Sequence, residues 1–220
     1  DRYDAHRERH SSVLDAAPIA IGDKSSMAAG LPLVVSSGLI AQASGVMYSR
    51  SLFETCLLQE KAFRAVGFMA RALSRAQRVS GCGNACFHAV APKLTDAFDP
   101  AMFAGLSDDV RALDELAESL SDTDNVSQLR TASQKFYFVG LVACIENLCL
   151  SPHGVSSIER SARMRDMLEA PRTRQMVVAL KDNHRGLGLL FGPIASAKST
   201  RCVMCTHLAA FLNRTGAKTA

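Results

Sequence analysis

Two short segments of this chain carry the same set of metal-ligating side chains. Cys82-x3-Cys86-x-His88 lies in a glycine-rich stretch, and Cys202-x2-Cys205-x-His207 lies near the end of the sequence. Thiolate and imidazole are the donors of structural zinc, which takes four in a tetrahedron, usually as two close pairs from separate parts of a chain. Cys82 with Cys86 and Cys202 with Cys205 would therefore tie the middle of the chain to its end through one structural zinc, with His88 and His207 as alternate ligands. On a helix, residues three apart share a face, so Cys202 and Cys205 can converge; Cys205 and His207, two apart, cannot. A third group, Cys144-x4-Cys149-x3-His153, has ligand-like spacing at an expected helix end. Against a metal stands the simpler role of free Cys as a small buried hydrophobe, which seven cysteines in an apolar helical chain also fit. A thiol nucleophile, either Cys86 with His88 as base or Cys82 after Ser80-Gly81, is the weakest reading, because such Cys-His pairs arise often by chance. No Walker loop, G-x-S-x-G elbow or H-E-x-x-H motif is present, so a non-enzymatic protein is expected.

The second constellation is cationic. Lys61, Arg64, Arg71, Arg75 and Arg78 follow one another at offsets of 3, 7, 4 and 3, with no acid between Lys61 and Val79. In one continuous helix they would line roughly one face for about 25 Å. A second cluster comprises Arg160, Arg163, Arg165, Arg172 and Arg174. Rows of guanidinium groups are the footprint of phosphate-backbone binding, in which each contact releases condensed counterions. Arg outnumbers Lys by 18 to 7, which suits bidentate phosphate contact, although GC-rich coding produces the same bias together with the abundant Ala. Aromatic interleaving is thin (Phe63, Phe68), so contact with the backbone rather than base readout is expected, from RNA before DNA. The plainer alternative is a solvated helix face. A different class of function, a helical protein–protein module or scaffold, would use Met164, Met167 and Met176 as an adaptable groove; the same residues serve equally as core.

The elements that must position these groups are expected to be helical. Hydrophobic residues make up 48% and charged residues 21%, an ordinary globular balance far from the disordered regime. Ala, Leu, Val and Met dominate the apolar content. The odd cysteine number and the placement of thiols in apolar helices favour a reducing, intracellular setting, cytoplasmic or nuclear. Two N-x-S/T triplets, Asn125-Val-Ser127 and Asn213-Arg-Thr215, are no more than chance supplies. No membrane span is expected: the most apolar stretch, Met27 to Met47, is broken by Pro32, Ser36, Ser37, Gln42 and Ser44. The charged opening DRYDAHRERH without an initiator Met reads as a fragment or processed form.

Residues 1–18 are expected to be flexible or weakly helical, and residues 19–220 to form a single helical domain. Ile19 to Pro32 reads as irregular. The apolar spacing of Leu52, Cys56, Phe63, Val66, Ala70 and Leu73 predicts one long helix from Ser49 to Val79. Ser107 is the expected N-cap of a helix burying Val110, Leu113, Leu116 and Leu120. Val126 to Leu150 is apolar nearly all round after Lys135, as for a helix central to a bundle. Ser156 or Ser157 caps the next, Pro171 opens another, and the last runs from Thr200 to Asn213, burying Val203, His207 or Leu208, and Phe211. LGLLFGPIA fits a buried strand or a loop. The sum is an all-α protein, an irregular bundle of about seven or eight helices. This character is similar to that of the globular regions of some viral RNA-binding regulators; no motif matches residue by residue, and the likeness assigns no site.

Overall fold

A computed structural model of the chain describes residues 2–4, 9–11, 24–41, 48–57, 64–77, 79, 89–90, 98–120, 123–151, 155–183 and 186–215. Nine α-helices lie among them: α1 (Lys24–Ser36), α2 (Arg50–Leu57), α3 (Ala65–Arg75), α4 (Met102–Glu118), α5 (Thr123–Leu150), α6 (Ser157–Glu169), α7 (Pro171–Leu180), α8 (Phe191–Ala195) and α9 (Ser199–Thr215). The all-α expectation holds. Its small exception is a three-stranded ribbon in which β1 (Arg2–Asp4) pairs antiparallel with β2 (Arg9–Ser11) and parallel with β3 (Ala89–Val90). β1 and β2 lie in the opening charge run, which by sequence reads as flexible or weakly helical.

The chain divides into two compact units. The first comprises residues 1–94 and 108–133, the second residues 95–107 and 134–220, so the division falls inside α4 and inside α5.

In the first unit, α1 occupies a stretch that reads as irregular. Pro32 lies within it, at a cost of about 3 kcal/mol in a helix interior. The helix stands because Met27, Leu31 and Val35 recur every fourth residue and are all buried, together with Ala28. Gly38, at φ 75°, turns the chain out of it, in a left-handed conformation that glycine adopts without strain. The long helix expected over Ser49 to Val79 is not continuous. α2 and α3 are separate, and Arg64, which precedes α3, is extended at φ −126° and ψ 121°. Between α2 and α3 a small core forms from Cys56, Phe68 and Ala72, with Tyr48 and Leu52 against it. Tyr48 and Phe68 meet edge to face at 5.1 Å between ring centroids, and Phe53 meets Phe68 at 5.5 Å.

α4 starts more than a turn before Ser107. Asp99 Oδ1 accepts from the Ala101 amide at 2.9 Å, and Pro100 follows it, a favoured arrangement for a helix start. Ser107 is therefore internal, and its hydroxyl donates to the Phe103 carbonyl. Val110, Leu113 and Leu116 are buried as expected, whereas Leu120 is half-exposed.

α5, 28 residues and about 42 Å long, is the longest element among the described residues. It buries Leu129, Ala132, Tyr137, Phe138, Leu141, Cys144, Ile145 and Leu148, but after Lys135 it leaves Val139 and, at its end, Leu150 exposed. The expectation of burial all round is thus too strong: the apolar run contains more hydrophobes than the core takes. In the second unit a buried relay joins three helices. Tyr137 (α5) and Thr173 (α7) have their oxygens 2.9 Å apart, and the Thr173 hydroxyl donates to the Met167 carbonyl of α6 at 2.7 Å. Thr173 has one proton, so Tyr137 must donate to Thr173. Ser156 caps α6 by accepting from the Glu159 amide, and Pro171 opens α7. The LGLLFGPIA stretch, which by sequence fits strand or loop, contains the short helix α8, whose Phe191 packs 5.8 Å from Phe138. α9 differs most from expectation. It buries Cys202 and Thr206, and leaves Met204, Leu208 and Phe211 exposed.

Three substitutions test this packing. Thr173→Val strands the buried Tyr137 hydroxyl and the Met167 carbonyl, and should lower unfolding stability by about 1–3 kcal/mol; Tyr137→Phe, which leaves Thr173 bonded to Met167, should cost less. Gly140 faces the Leu106 side chain, with Cδ2 and Cγ only 3.1 and 3.3 Å from where a Cβ would sit. Gly140→Val should accordingly destabilise by about 2 kcal/mol in denaturant titrations.

Candidate nucleic-acid interface

The cationic residues of the first unit separate once the chain is folded. Arg64 turns toward α4, where its Nε and Nη2 donate to Oδ1 and Oδ2 of Asp109 at 2.9 and 2.6 Å. This fork-to-carboxylate pair is partly shielded, with side-chain exposures of 38% for Arg64 and 14% for Asp109. A helix capped at Ser107 would use Asp109 in its first turn; since α4 begins earlier, Asp109 instead holds Arg64. Arg71 and Arg75 lie one turn apart on α3, a helix otherwise buried through Val66, Phe68, Met69, Ala70, Ala72 and Leu73. Arg75 is the one exposed residue of α3, and its Nη1 reaches 3.8 Å from Cys56 Sγ. Lys61 and Arg78 lie outside the described residues.

The second cluster has a different character. On α6, Arg163 pairs with Glu159 one turn away, at 2.9 Å, and its guanidinium lies over the Phe98 ring, 5.2 Å from the centroid. On α7, Arg174 donates to the carbonyls of Ile194 and Ala195 at 2.7 and 3.1 Å, closing the end of α8. Both guanidinium groups are engaged by contacts within the unit. Arg165 is exposed, and Arg160 and Arg172 are half-exposed.

Charge is divided unevenly between the units. The first has 13 Lys and Arg against 14 Asp and Glu, a net −1; the second has 12 against 7, a net +5. The whole positive excess of the chain therefore sits in the second unit. A signal for this was present in the sequence: no acid follows Asp182, while Arg185, Lys198, Arg201, Arg214 and Lys218 do. Arg201, exposed on α9, is a cation that the sequence reading did not single out.

Of the expected metal ligands, Cys82, Cys86 and His88, with His153 of the third group, lie outside the described residues. Cys202 is buried on α9, Cys205 half-exposed and His207 exposed. Among the described residues no three His, Cys, Asp or Glu side chains come together as a metal site. The five described cysteines, Cys56, Cys144, Cys149, Cys202 and Cys205, are free thiols. Burial, reinforced by Asp99, pushes the Cys144 thiol up to about 12. Burial pushes Cys202 up to about 11, with Cys205 and Cys149 adding to it and Arg174 opposing it. Cys149 is raised by burial and eased by Arg160. Thiols so placed stay protonated at neutral pH and are poor nucleophiles.

The Glu146 carboxyl on α5 is also raised, by burial. The folded chain thus holds that proton more tightly than the unfolded chain, and stability falls as pH rises through the carboxylate range.

The chain matches no known family model, and no curated protein or solved structure matches it.

Four outcomes follow from these placements. Arg64→Gln should cost about 1–2 kcal/mol by thermal melting, since it leaves a shielded Asp109 unpaired, whereas Arg75→Glu should leave the melting temperature within about 2 °C of the parent, as for most exposed substitutions. Glu146→Gln should melt higher than the parent at pH 7, and that advantage should vanish at acid pH, where Glu146 is protonated in both states. Mass spectrometry after brief native alkylation at pH 8 should find Cys205 labelled well before Cys144 and Cys202.

Proposed function

We propose that this protein binds nucleic acid, RNA in the first place, through the phosphate backbone, with no catalytic role. The supporting observations are the net +5 of the second unit and, on its helices α6 and α7, the exposed Arg165 and half-exposed Arg160 and Arg172. Arg71 and Arg75 of α3 form a second, smaller contribution, while Arg64 serves the fold through Asp109. Arg163 and Arg174 support the surface by fixing α6 and α8. Free thiols throughout the described residues support a reducing, intracellular setting. No described helix is long and apolar enough to cross a membrane. A helical protein–protein module is the second reading, favoured by the exposed Met204 and Leu208 of α9.

Fluorescence anisotropy with labelled single-stranded RNA and duplex DNA tests the proposal. Binding should weaken steeply with salt, and Arg160→Glu/Arg165→Glu should weaken it at least about tenfold. The same double variant should flatten the log–log salt slope by about 1.4 units on single-stranded RNA and about 1.8 on duplex DNA, since each neutralised phosphate contributes roughly 0.7 and 0.9 respectively. An unchanged affinity and slope in that double variant, with its melting intact, would remove the second unit as the binding surface.

A further inference from the structure

We draw no further inference here: the strongest candidate, the thiol cluster of Cys149 on α5 with Cys202 and Cys205 on α9, is placed together only by its effect on the Cys202 pKa, and among the described residues no three donors meet as a metal site.

Discussion

The buried Tyr137–Thr173–Met167 relay is the constraint on which the second unit rests. It joins α5, α6 and α7 through two hydrogen bonds whose direction is forced by the single proton of Thr173. Every cation of the second cluster lies on α6 or α7, and the relay fixes both helices to the long α5. An unpartnered hydroxyl at any of these points would cost more than the bond contributes, so the arrangement is held by the penalty for breaking it. Ser156 at the start of α6 and Pro171 at the start of α7 set where the two helices begin.

Arginine does two kinds of work here, and the distinction organises the surface. Arg64, Arg163 and Arg174 are drawn inward to a carboxylate, an aromatic face with a carboxylate, and a pair of carbonyls. Their planar forks suit fixed bidentate contacts that a lysine could not make. Arg165 is turned to solvent, and Arg75 is exposed at the end of α3 with its Nη1 against Cys56 Sγ.

Most of the helical architecture was legible in the sequence because it depends on local signals. The cap at Ser156, the Pro171 start and the stripe of Val110, Leu113 and Leu116 all follow from neighbours in sequence. What was not legible depends on distant partners. The break before α3 places an extended Arg64 where its guanidinium meets Asp109, 45 residues away. Nothing in the apolar spacing of 49–79 signals that break. The α1 helix through Pro32 is likewise a matter of Met27, Leu31 and Val35 finding a core. On α9 apolar residues occupy both faces, so period alone could not say which face is buried. A stripe of five cations needs a continuous helix, and loses that basis once Arg64 is extended; the 160–174 cluster lies on two helices of the kind expected.

Arginine footprinting tests the central claim most directly. The chain is treated with a dicarbonyl reagent, free and saturated with single-stranded RNA, and modification is read residue by residue by mass spectrometry. The account predicts that Arg160 and Arg165 lose reactivity on binding while the exposed Arg130 of α5, in the first unit, keeps its own. Equal modification of Arg165 in the free and bound chain, with RNA shown to be bound, would contradict it.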